Sequence, residues 1–114
     1  MICYVAGPYR GDVEQNIGNA RAVAVALLNL GHAVICPHTM TGTFADAGCK
    51  LTDEQHIDRL CDVVERVDAL VILPGESEGT RREIDRANAF AVPCYFWPDH
   101  PMISEDLERF IHDA

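Results

Sequence analysis

The chain of 114 residues is long enough for one domain and too short for two. Its eighteen Asp and Glu residues outnumber nine Lys and Arg residues, and the formal net charge of −9 disfavours nucleic-acid polymers and anionic membranes as partners. Five cysteines without CxxC spacing argue against a disulfide framework and a zinc site. No basic signal-peptide start and no apolar run of roughly 20 residues is present, so we expect a cytoplasmic protein. The sequence implies no metal or organic cofactor.

The first half of the chain predicts two buried strands separated by a helix. Residues 2–6 form an apolar run that ends at a Gly-Pro pair, which is typical of a strand followed by a turn. Residues 12–30 begin with a capping-box pattern and repeat apolar residues at helical spacing. Residues 33–36 predict the second strand. Residues 38–51 are rich in Thr, Gly and other small residues, and predict a long loop of the kind that often carries function.

The second half of the chain repeats the alternation of helix and strand. A helix is predicted from Thr52, which has Gln three residues later as in a capping box. Residues 69–73 predict the third strand, which a Pro-Gly pair ends. A helix over residues 79–90, a strand over 92–97 and a last helix over 104–112 complete the pattern.

Continuously apolar strands separated by helices predict a parallel sheet that is covered on both faces. With right-handed crossovers, we expect residues 1–114 to form a single doubly wound α/β domain with four or five mainly parallel strands. Ligands of such domains bind at the carboxyl ends of the strands. The segments expected there are residues 7–11, 38–51 and 74–80.

Two of these segments lead into helix N-termini, where free N–H groups and the helix dipole favour an anion. Arg10 follows the first strand and could clamp a phosphate, or it could be a surface residue that pairs with one of the many acids. His38 could contact a ligand or hydrogen-bond a backbone carbonyl. Ser77 is expected to cap the helix that follows it.

Glu83 is the candidate nucleophile, because the nearby helix N-terminus stabilises the ionised carboxylate that a nucleophile requires. The alternative is an ordinary solvated acid on a helix surface. A nucleophilic carboxylate of this kind commonly works together with a second carboxylate that manages protons. Asp58, Asp62 and Asp68 are the candidates for it.

Four motifs occur in a characteristic order: YVAGPYRG at residues 4–11, GHAVICPH at 31–38, DALVILPG at 68–75 and SEGTRRE at 77–83. Together they resemble the nucleoside 2-deoxyribosyltransferase-like superfamily over roughly residues 2–97. The resemblance implies a flavodoxin-like fold and a retaining mechanism in which Glu83 attacks C1 of the sugar of a nucleoside or nucleotide. Water then releases the sugar, or another base accepts it.

Within that superfamily the chain is most similar to the 2′-deoxynucleoside 5′-phosphate N-hydrolases. Arg10 and Gly11 match the pair that holds the 5′-phosphate there, and Ser77 and Gly79 match residues that help to hold it. The resemblance therefore implies a nucleoside monophosphate as substrate. The predicted substrate-binding residues are Gly7, Tyr9, Arg10, Gly11, His38, Ser77 and Gly79.

One position departs from the superfamily pattern. Its second acid falls at Leu60 in this chain, and the predicted catalytic partners Asp58 and Asp62 flank that position. A non-catalytic nucleotide-sensing module is therefore the alternative to an enzyme, and a generic interaction domain is a third hypothesis. The resemblance further implies a homo-oligomer, a dimer or a dimer of dimers, with residues 92–97 and the last helix as the expected interface.

Overall fold

The computed structural model describes residues 1–40 and 44–97, without the side chains of residues 44 and 45. The predicted helix over residues 104–112 lies outside this range. The elements are β1 (Ile2–Ala6), α1 (Val13–Asn29), β2 (Ala33–Ile35), α2 (Pro37–Met40), a 3₁₀ turn (Phe44–Ala47), α3 (Asp53–Val64), β3 (Ala69–Ile72), α4 (Glu78–Ala89) and β4 (Cys94–Phe96). Within these residues, no helix combines the length and the apolar character needed to cross a membrane.

The four strands form one sheet in the order β2-β1-β3-β4, and every neighbouring pair is parallel. The predicted doubly wound, flavodoxin-like α/β class is therefore confirmed. The chain moves from β1 to β2 on one side and returns to place β3 on the other side of β1. The carboxyl ends of β1 and β3 consequently form the topological switch point, where ligands of such sheets bind.

Helices cover both faces of the sheet, and alternate residues of β1 point to opposite faces. Cys3 and Val5 belong to a core cluster that contains the buried residues of α1. Tyr4 and Ala6 belong to a second cluster, which includes Val64 of α3 and residues of α4. Tyr4 therefore lies on the face of the sheet that α3 and α4 cover.

The predicted helix starts are confirmed, with one difference in detail. Asp12 caps α1, because its Oδ1 accepts from the Gln15 N–H at 3.1 Å, but the Gln15 side chain donates to Asn19 instead of completing the capping box. Thr52 forms a complete capping box at the start of α3. Ser77 caps α4.

The prediction of a loop over residues 38–51 is wrong in part, because this segment contains most of α2 and the 3₁₀ turn. β2 ends at Ile35, one residue earlier than predicted, and Pro37 fits the first helical position of α2, where its missing N–H is no loss. The Thr39 and Met40 N–H groups both donate to the Cys36 carbonyl, at 3.1 and 3.2 Å. Residues 41–43 lie outside the described part of the chain.

Candidate functional site

A cavity of about 650 Å³ opens at the carboxyl end of β1. The loop after β1, the start of α2 and the first turns of α3 and α4 surround it. This is the edge of the sheet at which the sequence predicts a ligand. The predicted site residues among its lining are Gly7, Tyr9, Arg10, His38, Ser77, Gly79 and Glu83.

The loop after β1 is held in place by side chains from two other elements. Asn16 Nδ2 on α1 donates to the Tyr9 and Arg10 carbonyls, at 3.1 and 2.9 Å. A Cβ at Gly7 would lie 2.7 Å from Leu73 Cβ, so only glycine allows the segments that follow β1 and β3 to approach this closely. The loop therefore presents Tyr9 and Arg10 to the cavity from a fixed backbone.

His38 has the structural role that the sequence offered as one of its two alternatives. Its Nε2–H donates to the Pro8 carbonyl at 2.9 Å, and its ring lies against Tyr9 with centroids 5.8 Å apart. Donation from Nε2 leaves Nδ1 of the neutral ring as an acceptor. Nδ1 is buried and has no hydrogen-bond partner in the described part of the chain. His38 thus supports the loop and also lines the cavity.

The start of α4 packs closely against α3. Ser77 Oγ accepts from the Thr80 N–H at 3.3 Å, and a Cβ at Gly79 would lie 3.0 Å from Ile57 Cδ1. Residues three and four apart share a helix face, so Thr80 and Glu83 follow Ser77 and Gly79 toward the interior. Thr80 and Glu83 are buried, with exposed fractions of 4% and 7%.

Glu83 is the buried carboxyl group of the cavity. Burial raises its pKa from 4.5 to about 7, and the hydroxyl of Tyr4 partly opposes that increase. The same burial and the charge of Glu83 raise the pKa of Tyr4 above its ordinary value. Although the two groups interact, the Tyr4 hydroxyl has no hydrogen-bond partner of good geometry among the residues described. A carboxyl group with a pKa near 7 can exchange a proton or act as a nucleophile at neutral pH.

Residues 1–96 match the family described as domain of unknown function DUF7768. The chain belongs to this family. No curated protein matches the chain. The DUF7768 match covers every element described above, including the whole lining of the cavity.

In this DUF7768 domain, Arg10 lies at the rim of the cavity and forms a salt bridge with Asp53 in the first turn of α3. The two side chains are 78% and 66% exposed, so water screens their interaction. Both of the roles considered for Arg10, anion site and ion-pair partner, are compatible with this position. An anion that enters the cavity would compete with the Asp53 carboxylate for the guanidinium group.

The three candidates for a second acid do not line the cavity. Asp58 and Asp62 on α3 form salt bridges with Arg82 and Arg86 of α4. Asp68 accepts from the Ile2 N–H at 2.7 Å, at the opposite end of β1. The lining residues of α3 that lie beside these acids in the sequence are Ile57 and Leu60, which are apolar, whereas the polar lining residues Asp53, Glu54 and His56 lie closer to the start of the helix.

Three lining or neighbouring groups were not identified from the sequence. Tyr4 is the only polar side chain in the apolar run of β1, which is the signal that could have drawn attention to it. Thr80 Oγ1 is buried in the cavity wall and has no hydrogen-bond partner in residues 1–40 and 44–97. The pairing of Asp53 with Arg10 has no sequence signal. The same described ranges contain no group of three or more His, Cys, Asp and Glu side chains that could hold a metal ion.

Proposed function

We propose that this domain is an N-glycosidase that cleaves the bond between base and sugar in (deoxy)nucleoside 5′-monophosphates. The observation that carries the proposal is that Glu83, buried and with its pKa near 7, lines the same cavity as the Arg10 loop and the N-terminus of α4. A nucleophilic carboxylate and an anion-binding rim are the two parts that such a reaction needs. The resemblance to the deoxyribosyltransferase-like superfamily points to the same chemistry.

In the proposed reaction, one oxygen of ionised Glu83 attacks C1′ of the sugar while the bond to the base breaks. The resulting glycosyl-enzyme ester is then attacked at C1′ by water, which restores the carboxylate and leaves the sugar with retained configuration. Another base in place of water would give transfer instead of hydrolysis. The buried surroundings of Glu83 support this role, because few waters surround a carboxylate that is 7% exposed.

The 5′-phosphate is proposed to bind at the cavity rim, between Arg10 and the start of α4. The α4 N-terminus supplies backbone N–H groups near Gly79, and Ser77 can still donate its hydroxyl hydrogen while its oxygen caps the helix. A phosphate dianion carries more charge than the Asp53 carboxylate. The phosphate should therefore displace the Asp53 carboxylate from the Arg10 guanidinium group when it binds.

A non-catalytic nucleotide-binding module is the second candidate function. The observation that favours it is that Ile57 and Leu60 are the lining residues of α3 in this region, since Asp58 and Asp62 do not line the cavity and pair with Arg82 and Arg86. Such a module would bind nucleoside monophosphates at the same rim and release no base.

Chromatography of free base after incubation with a panel of deoxynucleoside monophosphates separates the two candidates. We expect base release by the wild type and loss of release in Glu83→Gln, with nucleotide binding retained. Asp85→Asn on the same helix is the matched control and should keep its activity, because Asp85 does not line this cavity. Nucleotide binding without base release by the wild type would favour the sensing module.

We also propose that the domain acts in the cytoplasm on a small molecule and assembles as a homo-oligomer. The five cysteines are free thiols, which suits a reducing compartment. β4 lies at the edge of the described sheet, and Phe96 is 47% exposed there. Light scattering of the full chain after size-exclusion chromatography tests the assembly, and a monomer at micromolar concentration would contradict it.

A further inference from the structure

Glu83 is a buried carboxyl group without a cationic partner. No salt bridge reaches it in the described part of the chain, although Arg81, Arg82 and Arg86 lie close to it in the sequence of α4. Arg82 pairs with Asp58, and Arg86 pairs with Asp62 and Glu65. Buried carboxylates are normally paired because the ionised form is poorly solvated. A ligand that brings a positive charge to Glu83 would supply the missing partner.

The remaining charged groups of the cavity wall are mostly acidic. Four more carboxylates line it, those of Asp53, Glu54, Glu76 and Glu78, and all of these residues are exposed at the rim. Its two arginines, Arg10 and Arg82, are each paired with an aspartate. Carboxylates therefore outnumber arginines in the lining of the cavity, which favours the binding of a positively charged ring there.

Next to Glu83, Tyr4 is the only ionisable side chain of the described residues that could donate a proton to a departing base. Ile57 and Leu60 are the apolar α3 residues of a lining that also includes His56, and His38 uses its Nε2–H on the Pro8 carbonyl. Among the described residues, Tyr4 is the only ionisable side chain that acts on the pKa of Glu83. His56 and the rim acids line the cavity without influencing that pKa. A neutral base needs a proton to leave well, whereas a cationic base does not.

We propose that the preferred substrates are N-glycosides whose base carries a fixed positive charge, such as a quaternary pyridinium or an N7-alkylated purine. This inference rests on the proposed function and narrows its substrate class. Glu83 attacks C1′ as the C1′–N bond breaks, and the bonding electron pair neutralises the charged ring. Water then attacks C1′ of the ester, Glu83 leaves as a carboxylate, and one proton passes to solvent. No group of the protein has to protonate the base.

The cationic ring also prepares the nucleophile. An opposite charge close to a carboxyl group favours its ionised form. Binding of a cationic substrate should therefore ionise Glu83 at a pH where the free protein still holds it partly protonated. A neutral nucleotide brings no such charge and leaves part of the protein with a protonated, unreactive Glu83.

The test compares N7-methylguanosine 5′-monophosphate with guanosine 5′-monophosphate, and their 2′-deoxy counterparts, with nicotinamide mononucleotide as a second cationic probe. Free base is measured chromatographically after the rate without protein is subtracted. We expect kcat/KM for the cationic nucleotides to exceed that for the neutral ones at least about 100-fold. Glu83→Gln should release base from neither kind of nucleotide. Equal kcat/KM values would overturn this inference and leave the proposed function standing. No release from any of these nucleotides would overturn this inference, and no release from the full panel of deoxynucleoside monophosphates would overturn the proposed function as well.

A substitution in the α3 wall gives an independent readout. Leu60→Asp places a carboxyl group in the cavity, and Leu60→Asn is its matched uncharged control. In folded Leu60→Asp we expect kcat/KM for the neutral nucleotides to rise at least about 10-fold, as a supplied general acid would give, with no such rise in Leu60→Asn. Equal kcat/KM values for the two variants would contradict the inference that the cavity lacks a proton donor for the base. If Leu60→Asp does not fold, the comparison of nucleotides by the wild type still decides.

Discussion

The carboxyl group of Glu83 on α4 interacts with the hydroxyl group of Tyr4 on β1 in the interior of the domain. The two residues are distant in sequence and come together because Tyr4 points to the sheet face that α4 covers. Both side chains are buried, and neither has a cationic partner among the residues described. Burial raises the pKa of Glu83 and the Tyr4 hydroxyl partly opposes that increase, and several predictions depend on this balance.

The pH dependence of stability should report the burial of Glu83. Its pKa is about 7 in the folded protein and near 4.5 when the chain unfolds, so the folded state holds the proton more tightly. The stabilisation that comes from the proton on Glu83 is therefore fully present below pH 4.5 and is lost as the pH rises to 7. This loss lowers the free energy of unfolding by about 3 kcal/mol. Glu83→Gln does not titrate and should escape this loss.

Urea denaturation at pH 4 and pH 8 measures the difference. We expect Glu83→Gln to unfold with a free energy close to the wild type at pH 4 and higher than the wild type at pH 8. Asp85→Asn is the control on the same helix and should not show the pH-dependent gain. A Glu83→Gln protein that is less stable than the wild type at pH 8 would contradict the buried, unpaired carboxyl group.

Tyr4→Phe removes the hydroxyl group that lowers the pKa of Glu83. The pKa of Glu83 should then rise, because burial remains and the opposing interaction is lost. We expect the rising limb of kcat/KM against pH to move to higher pH, since this limb reports the free enzyme. A uniformly lower rate with an unchanged midpoint would indicate only a structural role for Tyr4.

Much of the site was predictable because it follows from strand order. The carboxyl ends of β1 and β3 had to meet, so the Arg10 loop and the helix bearing Glu83 were expected to face one cavity. Leu60 shows what sequence spacing alone did not decide. Its acidic neighbours Asp58 and Asp62 form ion pairs with arginines of α4. These ion pairs depend on how α3 and α4 pack against each other, and the sequence of either helix alone does not reveal that packing.

Asp53→Asn should strengthen the binding of nucleoside monophosphates, because it releases Arg10 from its salt bridge. Exposed pairs contribute up to about 1 kcal/mol, so we expect a gain in affinity of about 2- to 5-fold by calorimetry. The gain should vanish when Arg10→Ala is combined with Asp53→Asn. Arg21→Ala, an exposed arginine outside the cavity, serves as the control for Arg10→Ala. If the gain in affinity persists in the double variant, the proposal that Arg10 binds the phosphate is contradicted.

Gly7→Ala should destabilise the domain, because its Cβ would meet Leu73 Cβ at 2.7 Å and Leu73 Cδ1 at 2.8 Å. Overpacking of this kind costs about 1–3 kcal/mol. Gly18→Ala on α1 is the matched control: a Cβ there meets nothing within 4 Å, and alanine favours the helix by about 1 kcal/mol. In thermal unfolding we expect the Tm of Gly7→Ala to lie below that of the wild type and the Tm of Gly18→Ala to lie above it. Equal shifts would contradict the tight contact between the segments after β1 and β3.

The stereochemistry of the reaction in a water–methanol mixture tests the role of Glu83 most directly. The substrate is a β-nucleoside 5′-monophosphate, and NMR gives the anomeric configuration of the methyl glycoside that forms when methanol replaces water. Two successive displacements through a Glu83 ester predict the β-methyl glycoside, and no product from Glu83→Gln. An α-methyl glycoside, or product formation that persists in Glu83→Gln, would contradict the nucleophilic role of Glu83.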